Sequence, residues 1–431
     1  MISNTSHKNI IAEKNSISPM NVFICFSLLF SIITGITNKF GDKKYLYASA
    51  DVLPNTFLPY LVIKEGTIKF DSVEGKLWKL GGRDSYFFYK KSGSYFSAYP
   101  IFTAVASVPI YLSFYGFFPW GGISDHDDVK KILFIGRLAS GFFVAGSIAF
   151  FYLLISKFSK EKKYLIPFII FYAFGTTTFS ISSLSLWQHT VAQLIITGIV
   201  ILLLKISNRE TNRNEDIKLG LLFGFLMLTR TVDIVFLPFF YLIIILKSKK
   251  SFLLVTKYLL PFIVFILCYN WYFYGSPFME GYGARGDLHW TSDLKESIPG
   301  LLFKSPARSL LFISPPLLLC FFGVFTFTKL KVYSTVLFFS FLTFLMVNGK
   351  WYTWHGGTGF GYRMLTESLP ILGLFAFGFF RKLKALPYYL VILAMIYSVI
   401  VNSIGVFWHK GRCPSVHNYD YYCLMPIREI K

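Results

Sequence analysis

Residues 236–246 read FLPFFYLIIIL, eleven consecutive residues without a charged side chain, and they belong to a longer apolar run at 217–246. The other apolar runs lie at 20–37, 98–118, 132–156, 164–183, 188–204, 252–273, 310–328, 333–348, 364–380 and 386–407. A helix that spans a bilayer needs about 20 mostly apolar residues. The pattern therefore predicts an all-α polytopic membrane protein with about 11 transmembrane helices and large loops on one side.

The composition of the 431-residue chain agrees with this fold class. Hydrophobic residues make up 54% and charged residues 15%, whereas a soluble domain carries about 25% charged residues. The net charge is +21, but the basic residues form small clusters between apolar runs, at 157–163, 247–250, 329–331 and 381–384. Such clusters are typical of membrane flanks that face anionic lipid. Membrane lipids are therefore expected partners, and nucleic acid is not.

The run at 217–246 leaves the topology open, because polar residues between 229 and 233 interrupt it. It forms either one tilted crossing or two half-crossings. A single crossing is preferred, since it places three of the four basic clusters on the cytoplasmic side. The segments are then a cytoplasmic N-terminus 1–19, a transmembrane domain 20–407 with outer loops 38–97, 274–309 and 349–363, and an outer tail 408–431.

The tail carries two cysteines, Cys413 and Cys423, after the last apolar run. Outside the cytoplasm these cysteines are expected to form a disulfide, and the alternative is two free thiols. Either state concerns the stability of the tail and leaves the fold class unchanged.

The first outer loop offers a candidate catalytic carboxylate, Asp51, with Asn55 shortly beyond it. A carboxylate at the edge of a low-dielectric region has a raised pKa and suits general-base catalysis. A solvated aspartate that bonds to a nearby turn is the structural alternative.

Further polar groups that could bind a ligand occur in two other segments. Gln188 and His189 lie in SLWQHTVAQ, and Glu280 and Tyr282 lie in the second outer loop. Such side chains can hydrogen-bond to a sugar or stack on it. A buried structural histidine and an interfacial belt of aromatic residues explain them equally well.

The strongest functional signal is the segment NGKWYTWHGGTGFGYRMLTESLP at 348–370. Its glycines allow close approach of a ligand to the backbone, and Arg363 at the start of a helix can bind a phosphate with both arms of its guanidinium. Glu367, one turn further on, is expected to orient Arg363. Trp351, Trp354 and His355 complete the candidate site. The alternative is a glycine-rich turn whose arginine reaches the membrane surface.

The order of these motifs resembles a group of bacterial membrane proteins placed with the GT-C glycosyltransferases, which include protein mannosyltransferases and lipid A aminoarabinose transferases. The resemblance rests on Asp51, Asn55, Pro59, Gly66 and Asp71, on Tyr99-Pro100, on Leu186 to His189, on the tyrosines and glycines of 269–282, on Ser305-Pro306, and on the tryptophan and glycine residues before Arg363. It extends along nearly the whole chain.

The resemblance implies a transferase in the bacterial inner membrane whose active site faces the periplasm. The donor would be a polyprenyl-phosphate-linked sugar, and the acceptor a lipid, a glycan or a protein. Asp51 matches the position of the catalytic acid, and Arg363 would face the donor phosphate. Many related enzymes have paired acids in the first loop, whereas Val52 follows Asp51 here, so Asp42 and Asp71 are rival bases. No cofactor is certain, and a divalent metal is left open.

Two other functions compete with sugar transfer. A flippase or transporter for a lipid-linked precursor would need charges within the membrane, and Arg230, Asp233 and His189 are its candidates. Arg230 and Asp233 are three residues apart and are also expected to pair with each other. A glycan ligase or polymerase would share the chemistry of the transferase.

Overall fold

The computed structural model describes residues 17–40, 49–81, 86–116, 126–208, 210, 212–284, 286, 289–357 and 359–409. The helices are α1 (Pro19–Phe40), α2 (Leu53–Glu65), α3 (Glu74–Gly81), α4 (Phe102–Tyr115), α5 (His126–Ile155), α6 (Lys162–Phe174), α7 (Gln188–Ser207), α8 (Arg213–Thr229), α9 (Leu237–Lys247), α10 (Lys249–Tyr274), α11 (Gly281–Ala284), α12 (Leu294–Pro299), α13 (Leu310–Ile313), α14 (Cys320–Gly323), α15 (Lys331–Lys350), α16 (Leu369–Phe380) and α17 (Ala385–Phe407). Short 3₁₀ helices occupy Ala50–Val52, Thr231–Phe236, Pro315–Leu319, Val324–Thr326, Thr328–Leu330 and Arg363–Ser368. Short π-helical turns occupy Thr178–Ser182 and Gly300–Lys304. Strands β1 (Phe88–Lys91) and β2 (Ser94–Ser97) form an antiparallel hairpin in which Phe88 lies opposite Ser97.

Seven helical segments within the described ranges are long and apolar enough to cross a membrane. They are Pro19–Thr37, Asp128–Ile155, Gln188–Ser207, Lys249–Tyr274, Thr328–Lys350, Arg363–Phe380 and Ala385–Phe407. This arrangement is consistent with an all-α membrane protein. The count of about 11 crossings is not confirmed, because the remaining predicted runs form helices that are short or broken. The tail cysteines Cys413 and Cys423 lie outside the described residues.

The bundle is centred on α7 and α16. In their most apolar segments 83% and 89% of the residues are buried, against 22% in α1 and 17% in α10. Helix α7 packs against α5, against α8 and against the turn Arg363–Ser368. Because this turn leads directly into α16, the arginine at its start is held at the edge of the buried centre.

Helices α8 and α10 approach each other closely along a seam of small residues. A Cβ atom on Gly220 would lie 2.7 Å from the Val255 carbonyl oxygen, and one on Gly224 would lie 2.2 Å from the Phe262 ring. Neither separation is compatible with van der Waals contact, so the seam depends on glycine at both positions.

The predicted outer loop 38–97 contains ordered structure rather than an open loop. Helix α2 buries every residue from Leu53 to Leu61 and packs against α4, where the Tyr111 hydroxyl donates to the Thr56 carbonyl at 2.8 Å. The turn Ala50–Val52 leads into α2, and the Ser49 hydroxyl accepts a hydrogen bond from the Asp51 amide at 3.4 Å. This rigid support fixes where the Asp51 side chain lies.

The apolar run at 217–246 is divided into two helices. Helix α8 ends at Thr229, and Arg230 is extended with φ −155° and ψ 121°. The turn Thr231–Phe236 follows, and α9 begins with a proline in its first turn. The polar residues that interrupt the run in the sequence therefore coincide with the break, and two of them, Arg230 and Thr231, line the site described next.

Candidate functional site

A single large cavity of ≈ 490 Å³ brings together most of the predicted site residues. Asp51, Gln188, His189, Glu280, Tyr282, Trp351 and Arg363 line it. Apolar residues also line it and come from the break after α8 and from α9, α15 and the turn Arg363–Ser368. These residues, called the apolar wall below, are Val232, Ile234, Val235, Pro238, Val347 and Met364. The polar residues Arg230, Thr231 and Asn348 line the cavity beside them, so the lining combines charged and polar groups with an apolar surface that would suit hydrocarbon.

Asp51 and Arg363 form an ion pair inside this cavity. The Arg363 Nη1 donates to Asp51 Oδ2 at 2.7 Å, and the two side chains are 12% and 19% exposed. The Arg363 guanidinium also lies over the Trp187 ring, 4.7 Å from its centroid. Since both contacts are mostly shielded from water, they hold the guanidinium in one orientation.

Two tyrosines complete the surroundings of Asp51. Tyr86 and Tyr99 both donate their hydroxyl protons to Asp51 Oδ1, the latter at 3.2 Å. Tyr86 precedes the hairpin and Tyr99 follows it, so the hairpin brings them both to the carboxylate. Asp51 therefore accepts hydrogen bonds on both carboxylate oxygens.

These contacts reverse the pKa shift that the sequence predicts for Asp51. Burial alone would raise the pKa, but the Arg363 charge and the hydrogen bonds from Tyr86, Arg363 and Tyr99 hold it below its ordinary value. The expectation of a raised pKa is wrong, because the sequence does not reveal these distant partners. Asp51 is ionised at neutral pH and is a weak proton acceptor in this state.

Glu367 contacts a different set of residues from the one expected. Its Oε1 lies 2.5 Å from His189 Nδ1 and also accepts a hydrogen bond from Arg230 Nη1. The prediction that Glu367 orients Arg363 is therefore wrong. The physical reason is that residues 363–368 form a 3₁₀ helix. Such a helix has about three residues per turn, so side chains four positions apart do not lie on the same face.

Arg230 thus joins two carboxylates. Its Nη1 bonds to Glu367 and lies 3.9 Å from Asp233 Oδ1, so the predicted pairing with Asp233 is the longer of the two contacts. Within the described residues both Asp233 oxygens are buried without a hydrogen-bond donor. This cluster borders the cavity through Arg230 and His189.

Glu280 and Tyr282 reach the cavity from the second polar segment. A Cβ atom on Gly281 would lie 2.2 Å from the Ala98 carbonyl oxygen, so glycine lets this segment touch the backbone that leads to Tyr99. The Tyr282 ring lies 5.3 Å from that of Tyr99 and 5.9 Å from that of Trp351. Burial raises the pKa of Glu280, although a hydrogen bond with Thr231 and the Arg230 charge act in the opposite direction.

Four predicted site residues do not line this cavity: Glu367, whose contacts are given above, and Asn55, Trp354 and His355. Asn55 is 2% exposed within α2, and Trp354 packs its ring against Gly300. His355 accepts a hydrogen bond from the Gly357 amide at 3.2 Å. Burial, together with the Arg308 and Arg363 charges, lowers the pKa of His355 to about 3. Of these residues, His355 therefore supports the glycine-rich turn directly.

The glycine-rich turn places Arg363 through backbone conformations that favour glycine. Gly356 and Gly361 have φ of +79° and +75°, in the left-handed region. Arg308 Nη2 donates to the Gly357 carbonyl at 2.8 Å, and burial lowers the pKa of Arg308 to about 10. Arg308 stabilises the turn and was not predicted, since its segment carries no pattern beyond a Ser-Pro pair.

Tyr86, Tyr99 and Trp187 were also not predicted as site residues. Tyr99-Pro100 and Trp187 belong to motifs that carry the resemblance, and this signal could have identified them. Tyr86 is distant from any motif. Of the rival bases, Asp71 accepts a hydrogen bond from the Tyr95 amide at 2.7 Å and lies outside the cavity, whereas Asp42 falls outside the described residues.

Among the described residues, no group of three or more His, Cys, Asp and Glu side chains is arranged to hold a metal ion. Comparison of the chain with protein-family models, with curated proteins and with solved structures finds no match.

Proposed function

We propose that this protein is a membrane glycosyltransferase that moves a sugar from a polyprenyl-phosphate donor to an acceptor. The observation that carries the proposal is the composition of the cavity lining, which combines a buried arginine with an apolar surface. A polyprenyl-phosphate sugar combines the matching chemistry, an anionic sugar phosphate and a hydrocarbon chain. The cavity volume of ≈ 490 Å³ lies within the range of small-molecule sites, about 300–1,000 Å³.

Arg363 is the proposed phosphate ligand. Its guanidinium points into the cavity, is mostly shielded from water and is held by Asp51 and Trp187. A fixed guanidinium binds a phosphate through two parallel hydrogen bonds and stabilises the negative charge that develops on a leaving phosphate. We therefore assign Asp51 as the residue that positions Arg363.

The apolar wall is the proposed site for the first isoprene units of the donor. It lies at the break between α8 and α9, where the chain leaves helical geometry. Tyr282, Trp351 and Gln188, which also line the cavity, would contact the sugar. The proposed location is the inner membrane, with this cavity open to the outer side and a lipid, glycan or protein as acceptor.

The phosphate assignment is tested by the binding of polyprenyl phosphate to the purified protein in lipid nanodiscs. Arg363→Gln should weaken binding about tenfold or more, since a charge-assisted hydrogen bond contributes about 1.5–3 kcal/mol. Arg381→Gln is the matched control, because Arg381 lies over the Phe158 ring, away from the cavity. Equal binding by both variants, or equal binding of uncharged polyprenol by the wild type, would refute the assignment.

The transferase assignment is tested by supplying polyprenyl-phosphate hexoses in proteoliposomes with an extract of envelope lipids. New glycosidic bonds that depend on Arg363 support the enzyme. Movement of the lipid across the bilayer without a new bond would instead support the flippase, for which the Arg230, Asp233 and Glu367 cluster would supply the membrane charges.

A further inference from the structure

A second, smaller cavity meets the main cavity at Glu280. It has a volume of ≈ 60 Å³ and lies between the start of α4, the end of α8 and the last turns of α10. Pro100, Thr231, Ile234 and Glu280 line both cavities. Of these four shared residues, Glu280 is the one with an ionisable side chain.

The second cavity has the chemistry of a site for a lipid with a hydroxyl group. Most of its wall is apolar and includes Met227, Leu228, Phe265 and Ile266. A water molecule needs about 10–15 Å³ of such space, so ≈ 60 Å³ accommodates a few heavy atoms of a larger molecule. Helix α10, which supplies Phe265 and Ile266, is among the least buried of the long helices. A ligand from the surrounding lipid would therefore reach this cavity along α10.

The position of Glu280 is fixed by the backbone contacts of its neighbours as well as by its own hydrogen bond with Thr231. The contact between Gly281 and the Ala98 backbone ties the segment to the start of α4. The Asn270 side chain donates to the Pro277 carbonyl at 3.3 Å and holds the chain between α10 and Glu280. Glu280 is thus placed on the wall between two spaces.

We propose that the second cavity binds the acceptor as a lipid-attached alcohol and that Glu280 is the general base that takes the proton from its hydroxyl group. This inference rests on the proposed function, since the main cavity must hold the sugar donor. Each substrate then approaches Glu280 from its own side. The arrangement separates the phosphate-binding arginine from the proton acceptor.

The chemical step balances without any further reactant. The acceptor O–H bond breaks as its proton passes to the Glu280 carboxylate, and the acceptor oxygen bonds to the anomeric carbon of the sugar. The bond between that carbon and the phosphate oxygen breaks, and its electron pair leaves with the polyprenyl phosphate. Arg363 stabilises the charge on this leaving group.

The pKa values of the two carboxylates that line the main cavity are shifted in opposite directions, as expected if Glu280 is the base and Asp51 positions Arg363. Burial raises the pKa of Glu280, whereas the Arg363 charge and three hydrogen bonds outweigh the effect of burial and keep the pKa of Asp51 low. A base with a pKa nearer neutrality accepts a proton more effectively in the transition state. In the part of the chain that the structure describes, the charged and titratable groups that interact with Glu280 are Arg230, directly after α8, and Tyr274 at the end of α10.

The base is tested by the slow hydrolysis of a panel of polyprenyl-phosphate hexoses, in which water replaces the acceptor. In the wild type the rate should rise with pH as the base loses its proton. Glu280→Gln should lower the rate about 10²-fold or more and remove this rise. Glu296→Gln is the matched control, since Glu296 is an exposed glutamate in α12 outside both cavities.

The acceptor site is tested by photolabelling with a long-chain alcohol that carries a diazirine. Labelled peptides should include 265–270 of α10 and 227–228 of α8. Ile266→Trp should reduce labelling at least fivefold by filling the second cavity. Val264→Trp should leave it unchanged, because Val264 is 53% exposed and lines neither cavity.

The outcomes separate this inference from the function on which it rests. If no hexose donor is hydrolysed or transferred and polyprenyl phosphate does not bind through Arg363, the transferase itself is refuted. If hydrolysis depends on Arg363 but Glu280→Gln keeps the rise with pH, Glu280 is not the base. Loss of that rise in Asp51→Asn would assign the base to Asp51. Equal labelling of Ile266→Trp and Val264→Trp would refute the acceptor site.

Discussion

Replacement of Asp51 by asparagine should strengthen the binding of polyprenyl phosphate, although it removes a residue of the site. Asp51 occupies one side of the Arg363 guanidinium, with its Oδ2 2.7 Å from Nη1. A phosphate on the other side of the same guanidinium would place two negative charges about 6 Å apart. At an effective dielectric constant of about 20 they repel each other by roughly 3 kcal/mol.

The net gain should be smaller than this repulsion. Without the carboxylate, Arg363 loses one of the two contacts that orient it and keeps the Trp187 ring. If this loss offsets about half of the repulsion, roughly 1.4 kcal/mol remains, which corresponds to about tenfold tighter binding. Sugar transfer should nevertheless fall, because the guanidinium is less well placed on the leaving phosphate.

Titration of the protein in nanodiscs with polyprenyl phosphate measures this change. Asp71→Asn is the matched control, since Asp71 is an exposed aspartate that bonds to the Tyr95 amide and lies outside the cavity. Unchanged or weaker binding by Asp51→Asn, while Arg363→Gln loses binding, would refute the argument that the carboxylate and the phosphate compete for Arg363.

Two further predictions concern stability and are measured by thermal unfolding in detergent. Gly224→Ala should destabilise the protein by about 1–3 kcal/mol, because the added Cβ overlaps an aromatic ring of α10. Gly35→Ala is the control and should be neutral or stabilising, because no neighbouring atom lies within 4 Å of the added Cβ. An equal loss of stability in both variants would contradict the close contact between α8 and α10. The pKa of His355 is lowered from 6.5 to about 3, so its contribution to stability is present above pH 6.5 and is lost as the pH falls towards 3. His355→Asn should therefore lose less stability than the wild type over this range, and an equal loss in the two proteins would contradict this prediction.

The sequence predicted best those features that depend on local composition. The apolar runs became helices, and the interruption near Arg230 became a break in the helix. The buried helix α2 was missed, because a short apolar segment beside polar residues has the composition of a loop. The number of about 11 crossings is not confirmed, since apolarity in the sequence does not reveal which helices are long enough to span a membrane.

The sequence predicted site residues that belong to one segment, but it did not predict the contacts between segments that are distant in the chain. Asp51 and Arg363 were singled out separately, and they contact each other across 312 positions of the chain. The pKa of Asp51 followed from those distant partners and not from its own neighbours in sequence. The expected link between Arg363 and Glu367 failed, because it assumed helical geometry for a tighter turn.

The contact between His189 and Glu367 joins residues that are 178 positions apart. A ribosome that adds about 5–20 residues per second reaches the glutamate about 10–40 s after the histidine. During that interval Arg230 and Asp233 have also been synthesised, but Arg230 has not met its closest carboxylate. The contacts that join the break after α8 to the turn before α16 therefore form late in translation, when the segment that begins at Arg363 arrives. A chain that stops before Glu367 lacks both the His189 contact and the shorter of the two Arg230 ion pairs.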